Sequence, residues 1–164
     1  MRRPAGFTIV EIIVVLLLMS IVAATVFGRS VTTSNFDLNS ATDQLRNHLR
    51  FAQANAMKRS DAVWGIKSYG SEYWLFRGTT PDNAANEVRL PGVQYSGTGS
   101  RVSETQLKAG VSDFTVFFDR IGKPYTAYTN ASTNTPLASQ MTITLSAGGD
   151  NRTITVTPET GLIR

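Results

Sequence analysis

Glu11 is the residue whose chemistry most needs an explanation. It stands directly before an apolar stretch, residues 12–27, that contains no charged side chain. An ionisable group in a membrane-type segment is costly, so it indicates a function and a partner. The candidate partner is the amine of a new N-terminus, made by cutting the chain between Gly6 and Phe7. A plainer interpretation stays open, in which Glu11, one turn inside the run, reaches back to water.

The rest of the chain offers no catalytic constellation. It contains no cysteine, which excludes thiol catalysis and cysteine-based zinc sites. His48 is the only histidine, so a His-based metal site lacks a second ligand, and we expect a structural or solvated role for it. Motifs for a serine nucleophile or a phosphate-binding loop are absent. We therefore expect no enzyme, no cofactor and no metal site, and an N-terminally anchored enzyme is the weakest interpretation.

Acidic side chains elsewhere lie where turns are expected, and turn chemistry explains them, because Asp and Asn bond their own backbone there. Calcium binding by Asp150 and Asn151 is conceivable, but a single Gly-Gly-Asp-Asn turn is not a calcium site. The acidic residues in question are Asp113, Asp119, Asp150 and Glu159.

The N-terminal run Gly6-Phe7-Thr8-Ile9-Val10-Glu11, preceded by Arg2 and Arg3, resembles the processing signal of type IV pilins and pseudopilins. The resemblance implies that a membrane-bound prepilin peptidase cuts after Gly6 and methylates the new N-terminal Phe7. It also implies that Glu11 guides assembly with other pilin or pseudopilin subunits.

The length of the apolar run agrees with this resemblance. Residues 7–27 would form a helix of roughly 31 Å, about one hydrocarbon core. Arg2 and Arg3 should hold the leader in the cytoplasm and leave the rest outside. We expect a leader at residues 1–6, a transmembrane and assembly helix at 7–28, and a periplasmic domain at 29–164. A secretory signal peptide is the alternative, since residues 21–25 offer small side chains for cleavage, but it leaves Glu11 unexplained.

Charge gives weak evidence for a nucleic-acid partner. The chain has 16 Lys and Arg against 12 Asp and Glu, a net charge of +4. Removing residues 1–6 takes away two arginines, which leaves 14 against 12, a net charge of +2. The roughly 130 residues after the anchor have room for one domain.

Spacing predicts a second helix over residues 40–58, capped by Ser40, after a loosened or broken stretch near residues 33–39. Arg46, Arg50 and Gln53 fall off its apolar stripe and should be solvated. The stripe recurs every three or four residues and consists of Leu38, Ala41, Leu45, Leu49, Ala52 and Ala56.

Strands should cover that stripe. Alternation and β-branched residues predict strands at residues 62–67, 73–77, 111–118, 141–145 and 153–156, with short ones near 88–90 and 162–163. Turns are predicted at 69–71, 119–124, 148–151 and 158–161, and polar loops at 78–110 and 126–140. The expected fold is α+β, a long N-terminal helix packed on antiparallel sheet.

Three segments of this part resemble the GspH/FimT group of pseudopilins and, most of all, the minor pilins of mannose-sensitive-haemagglutinin-type pili. They are residues 49–57, 118–124 and 159–163. The resemblance implies a structural subunit of a type IV pilus or a type II secretion fibre, anchored in the inner membrane. The alternative is a membrane-tethered minor pilin that binds DNA for uptake, through Arg120, Lys123, Arg152 and Arg164.

Overall fold

A single long helix organises the molecule. The structure, a computed structural model, describes residues 8–59, 61–95 and 97–164, apart from the side chains of residues 26–35. Helix α1 (Ile9–Lys58) is 50 residues long, about 75 Å at 1.5 Å per residue. Thr8 caps its start, and the Arg59 N–H closes its end by bonding the Asn55 carbonyl at 2.8 Å.

The predicted break near residues 33–39 is wrong, because α1 is continuous there and the proposed cap, Ser40, lies inside the helix. The stretch holds weak helix formers such as Asn and Ser, which cost a few tenths of a kcal/mol each, and it has no proline. Tertiary packing outweighs such costs, since Leu38 and Ala41 are already buried against the sheets.

Two antiparallel sheets cover the second half of α1. The larger sheet consists of β1 (Trp64–Tyr69), β2 (Glu72–Arg77), β3 (Glu87–Val88), β4 (Val102–Ser103), β6 (Phe114–Phe118), β7 (Pro124–Tyr128) and β8 (Asn134–Pro136). The smaller consists of β5 (Gly110–Val111), β9 (Met141–Ala147) and β10 (Asp150–Val156), and a short helix, α2 (Glu104–Leu107), precedes β5. The larger sheet has the order β3-β2-β1-β6-β7-β8, with β4 also paired to β2, and the smaller has the order β10-β9-β5.

The main core lies between α1 and both sheets. All six residues of the predicted stripe are buried, none more than 1% exposed. They meet inward-facing strand residues such as Ile66, Leu75 and Val116 of the larger sheet and Ile143 and Ile154 of the smaller. The predicted arrangement, a long N-terminal helix on antiparallel sheet, is therefore confirmed.

Two strand predictions need correction. The strand expected at 111–118 is two strands in different sheets, because the chain crosses between the sheets at Ser112 and Asp113. There the Ser112 N–H bonds the Thr144 carbonyl and the Asp113 carboxylate accepts from the Gly70 N–H. The loop expected at 126–140 contains the end of β7 and all of β8, joined by a turn in which the Asn130 side chain accepts from the Ser132 and Thr133 N–H groups.

The turn between β9 and β10 follows the prediction closely. Ala147 pairs with Asp150, so the connection consists of Gly148 and Gly149 alone. Both have positive φ, 61° and 91°. A two-residue hairpin turn whose twist matches that of its strands requires positive φ, which glycine adopts at no steric cost. The strands that it joins place their buried residues on one face, as their alternation indicates.

Candidate functional site

The first half of α1 presents apolar side chains in every direction. Its large residues between Ile9 and Val22 are at least 50% exposed. They occupy nearly consecutive positions, so they surround the helix axis and do not form one face. A helix that is apolar all round is stable only when it is covered, either by a membrane or by other protein. This exposed segment, residues 9–25, is the principal candidate interaction site.

Glu11 lies in the first turn of this segment. The Thr8 side chain accepts a hydrogen bond from the Glu11 N–H at 3.3 Å, which fixes the start of the helix directly before it. A carboxylate at a helix N-terminus interacts favourably with the positive end of the helix dipole. The Glu11 side chain is exposed, so an incoming positive group can reach it. Gly6 and Phe7, the predicted cleavage and methylation residues, lie outside the described residues.

Helix α1 includes residues 9–28 of the predicted membrane-spanning helix. In the described part of the chain, no helix meets the length and hydropathy needed to cross a membrane.

A junction brings together the three segments that were singled out in the sequence. Gln53 on α1 donates through Nε2 to the Gly122 carbonyl at 3.0 Å and to the Gly161 carbonyl at 3.1 Å. Arg50, one turn earlier, donates to the Ile163 carbonyl at 3.1 Å. Lys123 pairs with Glu159 at 2.7 Å. Helix end, central turn and C-terminal turn are thus tied into one unit, which we call the junction.

Close backbone contact tightens the junction further. A Cβ on Gly161 would collide with the Gly122 carbonyl and with Gln53, so only glycine fits there. Gly161 also has a φ of +60°, which favours glycine independently. The predicted turns at 119–124 and 158–161 are confirmed. Arg50 is exposed, as predicted, although it also donates to a backbone carbonyl, whereas the solvated role predicted for Gln53 needs correction, because Gln53 is half-buried and its amide binds backbone carbonyls.

The family model of the prokaryotic N-terminal methylation motif matches residues 1–27. This chain carries the N-terminal motif of type IV pilin-like proteins. The motif goes with processing by a prepilin peptidase and assembly with other pilin subunits, which is typical of a structural protein. No curated protein and no solved structure matches the chain.

His48 has a structural position in this pilin-like chain. It is buried between α1 and the larger sheet, with Nδ1 3.0 Å from the Tyr73 hydroxyl and Nε2 3.1 Å from the Pro91 carbonyl. A carbonyl only accepts, so Nε2 carries the proton and Nδ1 accepts from Tyr73. Burial lowers the pKa of His48 below its usual value and raises that of Tyr73. The neutral imidazole therefore fastens the loop at Pro91 to α1.

Arg152, one of the four cations considered for DNA binding, lies apart from the turn that holds Arg120 and Lys123. Lys123, which lies in the same turn as Arg120, is neutralised in part by Glu159. Arg152 lies instead on β10 in a groove with Asp43 and Arg46 of α1, about two helical turns from the junction. Such dispersion weakens the electrostatic term on which DNA binding depends. In the ranges that the structure describes, no group of acidic or His side chains is arranged to hold a metal ion.

Sequence reasoning missed Gln53 and a second aromatic cluster on the outer face of the larger sheet. Trp74, Phe76, Phe117 and Tyr125 pack there, and the Phe76 ring covers Gly65 on the neighbouring strand. The sequence does contain a sign of this cluster, because a strand in which every residue is apolar, such as residues 73–76, indicates burial on both faces of the sheet. Nothing comparable marks Gln53, whose partners are backbone carbonyls over 60 residues away.

Proposed function

We propose that this chain is a minor pilin or pseudopilin, a structural subunit of a type IV pilus or a type II secretion fibre. The observation that carries the proposal is the exposed segment of α1, apolar on every side and headed by a single carboxylate. A fibre core of packed helices would cover that segment after assembly, as a membrane would before it. The junction built from residues 49–57, 118–124 and 159–163 supports a place in the GspH/FimT group, near the minor pilins of mannose-sensitive-haemagglutinin-type pili.

Processing and topology form part of this proposal. Residues 1–6 are a leader that a prepilin peptidase removes between Gly6 and Phe7, and Phe7 is then N-methylated. The apolar helix at residues 7–28 anchors the subunit once in the inner membrane. Residues 29–164 form the periplasmic domain, which enters the pilus or pseudopilus on assembly.

Glu11 supplies the register in this proposal. A carboxylate among apolar helices is costly unless it is paired. The amine of Phe7 on a neighbouring subunit is the pairing group, and it can reach the carboxylate at only one axial stagger of the two helices. Apolar contact thus holds the helices together, while the ion pair selects their relative height.

Mass spectrometry of the membrane-extracted protein tests the processing step. The expected result is a chain that begins at methylated Phe7, because a small residue at position 6 lets the peptidase reach the backbone. Gly6→Leu should leave the precursor uncut. A chain that begins at Met1, or near Thr25, would contradict the proposal.

Fibre incorporation tests the role of Glu11. Glu11→Leu should be processed and retained in the membrane but incorporated poorly, because only the pairing charge is lost. Glu11→Gln, which keeps the size, should behave in the same way. Ser20→Leu is the matched control, since it also adds an apolar side chain to the exposed segment and should be incorporated normally. Normal incorporation of both Glu11 variants would refute the pairing mechanism.

A further inference from the structure

Thr8 fixes the point at which α1 begins. Its backbone is extended, with φ −81° and ψ 149°, and its side chain accepts a hydrogen bond from the Glu11 N–H at 3.3 Å. Ser103 caps α2 with nearly the same geometry, φ −83° and ψ 156°, and accepts from the Gln106 N–H at 3.3 Å. Ser and Thr suit this position because a short side-chain oxygen satisfies an N–H that the helix itself leaves free. Thr8 is therefore an N-cap, and the helix proper begins at Ile9.

The hydrogen-bond ladder of α1 thus begins after the predicted scissile bond. Among the described residues, the first carbonyl of the ladder is that of Thr8, which accepts from the Glu11 N–H at 3.1 Å. A helix that began several residues earlier would instead bond the Gly6 carbonyl to the Val10 N–H. That carbonyl belongs to the peptide bond between Gly6 and Phe7, so it would be enclosed in a helix where a peptidase has to reach it.

The sequence before Thr8 would permit such an earlier start. Pro4 suits the first position of a helix, because its fixed φ is helical and its missing N–H is not needed there. Ala5 is the best helix former, and Gly6 is the only very poor one between Pro4 and Thr8. The N-cap is therefore the local feature that favours a start after the scissile bond over a start in the leader. Loss of an N-cap side chain shifts such an equilibrium by roughly fivefold.

We propose that Thr8 is a positioning residue for the cleavage between Gly6 and Phe7. By starting the helix at Ile9, it leaves the backbone of the scissile bond free to enter the peptidase in an extended form. Proteolysis needs a locally open backbone, and a carbonyl inside a helix is already bonded and is screened by the surrounding side chains. This inference rests on the proposed function and adds to it a residue that determines how readily the leader is cut.

The cap does not depend on the Glu11 carboxylate. The group that Thr8 binds is the Glu11 backbone N–H, which every residue except proline would supply at that position. Cleavage and assembly are therefore separable, since the Thr8 hydroxyl serves the first and the Glu11 side chain serves the second. This separation is the structural reason for expecting Glu11→Leu to be processed although it is incorporated poorly.

The rate of cleavage tests the role of Thr8 in cells that produce the full-length chain together with a prepilin peptidase. Pulse labelling followed by mass spectrometry gives the rate at which chains that begin at Phe7 appear. Thr8→Val keeps the shape of the side chain but removes the acceptor, so it should slow cleavage roughly fivefold. Thr8→Ser and Thr8→Asn differ from threonine in shape but are good N-caps, so both should be cut at close to the wild-type rate.

Thr25→Val is the matched control for Thr8→Val. It is the same substitution at an exposed threonine of α1, whose hydroxyl donates to the Val22 carbonyl within the helix and not to its start. It should leave the rate of cleavage unchanged.

Amide hydrogen exchange of the uncut full-length precursor in detergent gives a second measurement. A direct contact between Thr8 and the peptidase would not change it, because the peptidase is absent. In Thr8→Val the helix should extend toward the leader, so the Val10 N–H should bond the Gly6 carbonyl. We therefore expect it to exchange more slowly than in the wild type, by up to about fivefold.

The outcomes separate a cap from recognition of side-chain shape. Cleavage of Thr8→Val at the wild-type rate would overturn the inference, and so would unchanged exchange at Val10. Slow cleavage of Thr8→Asn together with normal cleavage of Thr8→Val would show that the peptidase reads shape, which also refutes it. In each of these cases a wild-type cut between Gly6 and Phe7 leaves the proposed function intact. If the wild type is not cut there, the proposed function itself fails.

Discussion

Replacing Gln53 by alanine should loosen the junction without disturbing α1 itself. Its amide is the donor that α1 offers to the Gly122 and Gly161 carbonyls, and it also lies 3.3 Å from the Thr160 carbonyl. Alanine is a better helix former than glutamine, so the helix loses nothing locally. What is lost is the link between three segments that are far apart in sequence.

The size of the expected loss in stability follows from the position of the two carbonyls, because Gly122 and Gly161 are both buried. A buried acceptor that loses its partner costs about 1–3 kcal/mol. Water can enter part of the space vacated by the side chain, which favours the lower end for each carbonyl. We therefore expect a loss of about 2 kcal/mol in the free energy of unfolding, or roughly 8 °C in Tm for a domain of this size.

Urea denaturation of the full-length protein in mild detergent measures this loss. Fluorescence of Trp64 and Trp74 reports on the sheet, since both are buried in it. Gln44→Ala is the matched control, because it is the same substitution in the same helix at a half-buried residue with no side-chain hydrogen bond within the described ranges. A difference of less than 0.5 kcal/mol between Gln53→Ala and Gln44→Ala, on the order of the effect of an ordinary surface change, would refute the reasoning.

Three further predictions concern pH, the core and DNA. Burial lowers the pKa of His48 in the folded state, so protonation of His48 favours unfolding. The free energy of unfolding should be highest above about pH 6.5 and should fall as the pH drops toward the pKa of His48 in the folded state. His48→Gln should flatten that fall when denaturation is measured as a function of pH. Leu49→Asp buries an unpaired charge, so circular dichroism should show an unfolded domain. Asn47→Asp, at an exposed position, should leave the domain folded. Titration of labelled duplex DNA at two salt concentrations should show weak binding, because the candidate cations are dispersed; tight, salt-sensitive binding lost in Arg152→Ala and Arg164→Ala would instead favour the DNA-binding alternative.

Local patterns predicted those parts of the fold that local physics decides. The stripe from Leu38 to Ala56 and the alternation in β9 and β10 both give the correct buried face, because spacing alone determines which side chains share a side. Crossing between the sheets at Ser112 and Asp113 could not be predicted, because the bonds that stabilise it come from Gly70 and Thr144. The contacts of Gln53 could not be predicted for the same reason, since its partners are distant backbone carbonyls.

The continuity of α1 links the two ends of the proposed assembly mechanism. A break near residues 33–39, as weak local helix propensity suggested, would have let the domain swing independently of its apolar segment. With α1 unbroken, a register fixed at Glu11 also fixes the axial position of Gln53, 42 residues later and about 63 Å along the helix. Gln53 then holds the turn that carries Arg120 and Ile121. An ion pair at the helix start would thus set the height of the junction in the assembled fibre.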